Sequence, residues 1–397
     1  MKYIFVVDKN EIVCYTEYNA LSGGFIMQYR EFVDNIKISA LGYGCMRFKT
    51  VGEDNHIDEE LTVKELRRAI KSGVNYIDTA FGYHGGKSEV VVGKALADGW
   101  REKVYLADKL PVWMVEKEED FERLFETQLS RLGTDHIDFY LLHALNGKSF
   151  EDKVKKFGLI DKMRQLKESG RVSYIGFSFH DSNEVFHKIV DAYDCADFCQ
   201  IQYNYIDTNN QAGTEGLEYA ASKGLGVVIM EPLLGGSLAN LPENVRAALP
   251  KDANPVQIAL DYLWSRPEVG VVLSGMTLPE QLDQNLRFAD ESKIGKLTQD
   301  ELDALVRAKA IRDGNMLVPC TGCEYCMPCP AGIDIPGTFR IYNKTAPSLG
   351  LDPRAEYDAL EVKPDSCLEC GKCEEICPQH IKIRDMMKAV TEAFAKK

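Results

Sequence analysis

No apolar run in this 397-residue sequence approaches the roughly 20 residues that a membrane-crossing helix needs. Positive charge is also scarce. The 47 Lys and Arg are outnumbered by 61 Asp and Glu, for a formal net charge of -14, so neither a nucleic-acid partner nor an anionic membrane surface is expected. Residues 1–26 carry acidic side chains and lack a long apolar core ahead of a small-residue cleavage site, so they do not read as a secretory signal. A cytoplasmic protein is the simplest expectation. A Gly-rich G-x-G-x-x-G turn is missing too. "LGYGCM", after the first strand-like run, does not complete it, which disfavours a doubly wound open sheet.

What is present is enough apolar sequence, 45%, for a large core and more than one domain. The first 26 residues stand apart as an N-terminal extension. "Ser22-Gly23-Gly24-Phe25-Ile26-Met27" has two readings. Two Gly codons can spell a ribosome-binding run, which makes the extension a translated leader and Met27 the true start. The other reading is a real N-terminal strand with a linker.

From about residue 37, eight β-rich runs alternate with amphipathic helical patterns. The runs are "KISALGYG", "NYIDTA", "KVYLADKL", "HIDFYLLHAL", "RVSYIGFSF", "DFCQIQYNY", "GVVIMEPL" and "VGVVLSGM". Several of the intervening helices end in Gly, a common helix stop. This alternation predicts a parallel sheet, and eight units within about 250 residues predict an α/β (β/α)8 TIM barrel. The barrel is expected over residues 27–313. A small α-rich domain is expected over 314–397, closing on the amphipathic "IRDMMKAVTEAFAKK".

Barrels of this kind place their chemistry at the carboxyl ends of the strands. Strand two leads to Asp78 and then Tyr83, strand three carries Lys109, and strand four carries His143. Taken singly, an Asp caps or pairs, a His sits satisfied in a core, and a Lys is a surface charge. Four such residues at one mouth point to acid–base work. The stretch "YIDTAFGYHGGKSEVVVGKAL", with the Lys and His following in order, resembles the aldo-keto reductase family over residues of about 27–312. That resemblance implies a catalytic tetrad of Asp78, Tyr83, Lys109 and His143, reduction of a small aldehyde or ketone, and a nicotinamide cofactor, NAD(P)H. In that chemistry a phenol supplies a proton to the carbonyl oxygen. The Lys109 ammonium lowers the phenol's pKa, Asp78 fixes Lys109, and His143 orients the carbonyl.

The resemblance also implies cofactor contacts. Cys45 and Met46 match backbone contacts near the nicotinamide ribose. Ser178 and Gln200 match the carboxamide-binding pair, although Phe179 replaces the family's Asn. Met230 stands where many members stack an aromatic ring. Ser274, Gly275, Met276, Gln284 and Asn285 match the pyrophosphate and adenosine end. Gly275 and Gln281 occupy the places of the basic residues that many members use for a 2′-phosphate, so NADP preference is unsupported.

Twelve cysteines are many for such a chain, and eight fall in two runs. Cys367, Cys370, Cys373 and Cys377 form C-x2-C-x2-C-x3-C-P, the bacterial ferredoxin run. Cys320, Cys323, Cys326 and Cys329 form the same pattern one residue shorter. C-x2-C pairs also build zinc sites, which is the competing reading. The whole arrangement resembles a prokaryotic group of aldo-keto reductases fused to a C-terminal ferredoxin-like domain. By that pattern two [4Fe-4S] clusters are expected, the fourth cysteine of each run serving the opposite cluster. Cys320, Cys323, Cys326 and Cys377 then hold one, and Cys367, Cys370, Cys373 and Cys329 the other. The remaining Cys14, Cys45, Cys195 and Cys199 read as core residues.

A nicotinamide gives up two electrons together, whereas a cubane accepts one at a time. A flavin in the barrel mouth is one device that joins the two. Three functions follow as expectations: a carbonyl reductase whose clusters exchange electrons with a ferredoxin or flavodoxin, a reductase whose clusters only staple the tail, and a nicotinamide-binding sensor or partner subunit.

Overall fold

The computed structural model describes residues 26–52 and 56–395, together with the backbone of a two-residue strand pair, Val7–Asp8 and Glu11–Ile12. The start-site question and Cys14 fall on residues that otherwise lie outside the described ones.

All eight expected runs form strands of one closed parallel barrel: β1 (Leu41–Gly44), β2 (Tyr76–Asp78), β3 (Tyr105–Leu110), β4 (Ile137–Leu145), β5 (Val172–Phe179), β6 (Phe198–Gln202), β7 (Gly226–Met230) and β8 (Val271–Ser274). Each strand pairs with its neighbours in chain order, and β8 closes on β1 with Val272 opposite Leu41. Helices α1 (Glu59–Lys71), α2 (Lys87–Leu96), α3 (Glu119–Leu132), α4 (Leu159–Glu168), α5 (Asn183–Ala192), α6 (Gly213–Ser222), α7 (Pro255–Trp264) and α8 (Pro279–Asp290) alternate with them. Their boundaries have local causes. Asp58 caps α1 by accepting from the Leu61 N–H, and Gly133 ends α3 in the left-handed conformation.

The first run divides in two. Lys37–Ser39 pairs antiparallel with Tyr29–Glu31 as a hairpin, and only Leu41–Gly44 enters the barrel. The hairpin places Phe32 against Phe139 at 5.9 Å between ring centroids. Phe32, Val33 and Ile36 pack on a buried cluster of Tyr76, Ala107, Phe139, Phe198, Val228 and Val271. Gly226 and Gly270 make room for the plug, since a Cβ at either would stand 2.4 Å from the Phe32 ring.

The chain divides into two compact units. One comprises residues 1–232 and 260–296; the other comprises residues 233–259 and 297–397. Within the second, α9 (Gln299–Asn315) opens with a capping box between Thr298 and Glu301. α10 (Ile335–Asn343) is capped by Asp334, and α11 (Ile383–Ala393) follows the cysteine runs. Val318, Ile335, Phe339, Ile383, Met387 and Val390 form this unit's core, with Tyr357 and Phe394 stacked at 4.1 Å. The Asn343 side chain accepts from the N–H groups of Leu317 and Val318, at 3.0 and 2.8 Å, and so pins the approach to the first cysteine run. No helix among the described residues is long and apolar enough to cross a membrane.

Candidate active site

The period of a strand decides what faces the barrel mouth. On β3 the side chains alternate, so Lys109 turns inward and Asp108 turns toward the helices. Lys109 Nζ lies 2.7 Å from Asp78 Oδ1, 2.7 Å from the Thr79 carbonyl and 3.4 Å from the Tyr83 hydroxyl. Asp78 ends β2, and Tyr83 opens the turn Tyr83–Gly86 that follows. Lys109 has no exposed surface and Asp78 has 2%, so this is a buried ion pair whose partners each depend on the other.

His143 owes its aim to an irregularity. The β4–β5 register slips between Leu142 and Leu145, leaving one extra residue on β4. Ala144, within that bulge, has a left-handed φ of 54°, an uncommon conformation for a residue with a Cβ. Ser178 Oγ holds it by accepting from the Ala144 N–H at 2.7 Å. The His143 ring then meets Tyr83 edge-on at 6.1 Å and Trp113 at 5.1 Å.

Electrostatics set the protonation states. Burial, reinforced by Asp78, holds the Tyr83 phenol well above its ordinary pKa. That direction is opposite to the lowering expected from Lys109, whose ammonium stands 3.4 Å away, and burial is its first cause. Burial, with help from Lys109 and His180, drives the His143 imidazole well below its usual value, so it is neutral. Asp78 is raised by burial, with Lys109 opposing. Burial also raises the Cys45 thiol, which is fully enclosed. The mouth therefore holds a phenol with a proton to give, a neutral imidazole and a paired ammonium.

The remaining named residues line the same end of the strands. Cys45 donates its N–H to the Asp78 carbonyl at 2.8 Å, and the Met276 carbonyl accepts from the Tyr43 hydroxyl at 3.0 Å. Ser274 Oγ accepts from Asn285 Nδ2 at 2.9 Å, joining β8 to α8. Gly275 lies under the Arg47 side chain, whose carbon chain would be 3.1 Å from a Cβ there. Gln200 is 2% exposed, and its Oε1 has no hydrogen-bond partner among the described residues; the same holds for His143 Nδ1. Met46, Met230 and Gln284 are half-buried. Phe179 is fully buried against Phe186 at 5.0 Å, so the missing Asn is replaced by core packing.

Two residues escaped the sequence reading. Trp113, half exposed beside His143, lies three residues beyond β3, where the rule of strand ends applies. Arg47 faces Glu231 at 3.6 Å and accepts through its carbonyl from Thr277 Oγ1 at 2.7 Å. That link between the loops after β1 and β8 had no sequence signal.

In the second unit the cysteines line two cavities. One, of about 260 Å³, is lined by Cys329, Cys367, Cys370 and Cys373, with Cys326 also at its wall. The other is narrower, about 20 Å³, and is lined by Cys320, Cys323, Cys326 and Cys377. The larger cavity thus draws three cysteines from the second run and two from the first, and the narrower one draws three from the first run and one from the second. Cys195 and Cys199 lie elsewhere, Cys199 fully buried on β6.

Comparison with known proteins agrees with both halves. Residues 40–309 match the model of the aldo/keto reductase family, and residues 319–381 match a 4Fe-4S dicluster domain. The uncharacterized oxidoreductase YqkF of Bacillus subtilis is 27% identical over 304 residues, covering 68% of this chain and 92% of that protein. The NADH-specific methylglyoxal reductase of Escherichia coli is 25% identical over 276 residues, covering 58% of this chain and 83% of its own length. Among solved structures, the aldo-keto reductase AKR11C1 from Bacillus halodurans superposes with a TM-score of 0.60 at 26% identity, covering 71% of this chain and 96% of that one. The chain belongs to the aldo/keto reductase family of oxidoreductases and carries a 4Fe-4S dicluster domain beyond its barrel.

Proposed function

We propose that the barrel reduces a small aldehyde or ketone with a nicotinamide cofactor, and that the cysteine-lined cavities carry two [4Fe-4S] clusters. The observation that carries the first part is the buried chain Asp78–Lys109–Tyr83, at 2.7 and 3.4 Å, beside a neutral His143. A bound nicotinamide supplies the hydride. Tyr83 supplies the proton to the carbonyl oxygen, from a phenol that burial keeps protonated. Neutral His143 donates a hydrogen bond to that oxygen and so fixes which face of the carbonyl is presented. Lys109 returns positive charge toward Tyr83 as the proton leaves, and Asp78 holds Lys109 in place.

Two buried polar side chains suit the cofactor's carboxamide. Gln200 Oε1 is buried and unpaired, suited to accept from the amide nitrogen. Ser178 Oγ already accepts from Ala144, which leaves its own hydrogen for the amide oxygen. Ser274, Gly275 and Met276, with Gln284 and Asn285 on α8, would hold the pyrophosphate and adenosine, and Cys45 and Met46 the nicotinamide ribose. Met230 would pack its thioether on the nicotinamide ring. With Gly275 and Gln281 where a 2′-phosphate wants cations, NADH is the better fit, and the E. coli relative is by its name NADH-specific.

The clusters fit their donors. Cys320, Cys323, Cys326 and Cys377 would hold one cubane, and Cys329, Cys367, Cys370 and Cys373 the other. Such clusters supply one-electron transfer. Cys370 is exposed, and Leu368 beside it is 67% exposed, so a ferredoxin or flavodoxin meets the protein at that loop.

Two measurements test this. Tyr83→Phe should lower kcat for carbonyl reduction by about 10²–10⁴-fold while leaving the dissociation constant for reduced nicotinamide unchanged. A variant that keeps most of its turnover removes Tyr83 from the mechanism. Protein purified without oxygen should hold about eight irons and eight acid-labile sulfides. Zinc without sulfide overturns the cluster assignment.

A further inference from the structure

β2 ends early. Its last ladder partner is Asp78 opposite Ala107, and the Thr79 N–H then bonds the Ala107 carbonyl before the chain turns away toward Tyr83. In a parallel sheet the N–H and C=O of residues two apart face the same neighbour. Lys109 therefore directs its backbone to the side from which β2 has departed. Side chains stand there instead. Asp108 Oδ1 accepts from the Lys109 N–H at 2.8 Å, and Gln128 Nε2, from α3, donates to the Lys109 carbonyl at 3.1 Å. The same Nε2 donates to Asp108 Oδ2 at 2.7 Å, and Tyr140 on β4 donates its hydroxyl to Gln128 Oε1 at 2.6 Å. Asp108, Gln128 and Tyr140 are all fully buried.

We propose that Gln128 is a positioning residue for the site. With Asp108 it takes over the pairing that β2 gives up, and it fixes the Lys109 backbone so that the ammonium reaches Asp78 and Tyr83 together. Both N–H groups of the amide are committed to one residue pair, and its oxygen is committed to Tyr140, so no freedom of rotation is left. A hydrocarbon of the same size fills the space but bonds neither the Lys109 carbonyl nor the Asp108 carboxylate. The cost of such a change is felt at the far end of the Lys109 side chain, where small displacements matter most to a reaction.

The inference rests on the proposed reductase reading for its kinetic arm, and a second arm stands without activity. Lys109 Nζ lies 4.9 Å from the centroid of the Tyr83 ring, so the adjacent Cε carries a ring-current shift. In full-length, cluster-loaded protein with 13Cε-labelled lysine, the Lys109 resonance is assigned by its loss in Lys109→Met. Gln128→Leu should move that resonance toward the ordinary lysine position or split it. Its kcat should fall about tenfold, with nicotinamide affinity held within about twofold. Tyr140→Phe, which frees the amide without emptying the space, should act in the same direction more weakly, and it carries the test if Gln128→Leu does not fold. An unmoved Lys109 resonance in the folded variant or variants overturns the proposal, whatever happens to melting temperature. Absence of nicotinamide-dependent reduction in the unaltered protein defeats the reductase reading alone, because the resonance arm still decides the positioning role.

Discussion

At the scale of single residues, burial dominates charge at the candidate site. His143 is held neutral and Tyr83 is held as a phenol, each chiefly by loss of water. The kcat for reduction should therefore show no ionisation near pH 6.5 from His143 as the medium is acidified. A step there that vanishes in His143→Asn would contradict this assignment. The sign for stability is separate. His143 has a folded pKa below its unfolded value, so the unfolded chain binds the extra proton first and stability falls as pH drops through about 6.5. That Asp78, Tyr83, Lys109 and His143 share one end of the barrel was legible in the sequence, because Asp78 ends a strand, Tyr83 follows it, and Lys109 and His143 lie near the carboxyl ends of theirs. The protonation states were not, since they depend on how deeply the ring and carboxyl are enclosed.

At the scale of elements, the strands were readable and their irregularities were not. Alternation of β-rich runs with Gly-stopped helices fixed eight strands, yet "HIDFYLLHAL" carries no sign of the bulge that aims His143. Likewise "KISALGYG" reads as one strand, although the Phe32 plug requires the chain to turn within it. Packing between elements gives two tests. Gly93 on α2 has no room for a Cβ, which would lie 2.6 Å from the Leu132 carbonyl oxygen and 2.8 Å from that of Arg131. Alanine gains about 1 kcal/mol of helix propensity over glycine. Backbone carbonyls cannot swing aside, and overpacking costs about 1–3 kcal/mol. Gly93→Ala should lower Tm in a thermal melt, against the propensity scale. At the entry to α3, Asp120 accepts from Arg123 and from the N–H groups of Glu116 and Lys117, which lowers its pKa to about 2. A depressed carboxyl contributes stability above its unfolded value of 3.8 and loses it as pH falls toward 2. Asp120→Asn should flatten that acid limb in denaturant melts run from pH 5 to pH 2.

At the scale of the whole molecule, each cysteine cavity depends on both runs. Cys377→Ala should remove iron from the site of Cys320, Cys323 and Cys326, while Cys329→Ala should remove it from that of Cys367, Cys370 and Cys373. Iron counting with electron paramagnetic resonance of the reduced protein checks this, and loss confined to a variant's own run would reverse the pairing. The spacing of the second run led to the expectation that the runs exchange a ligand, and cavities lined from both runs are compatible with it. The unequal size of the two cavities was not legible there, because it comes from how α10, α11 and the loops between them pack.

Closure of the barrel has a consequence for the order of events during synthesis. Val272 on β8 must find Leu41 on β1, and the sheet is not closed until that pair forms. A ribosome making this chain exposes β1 long before β8 exists, so β1 and β7 each keep one unpaired flank until residue 274 has been translated. The first cluster cysteine, Cys320, is translated later still. Iron and sulfide delivery is thereby deferred to a nascent chain whose barrel strands have all been made.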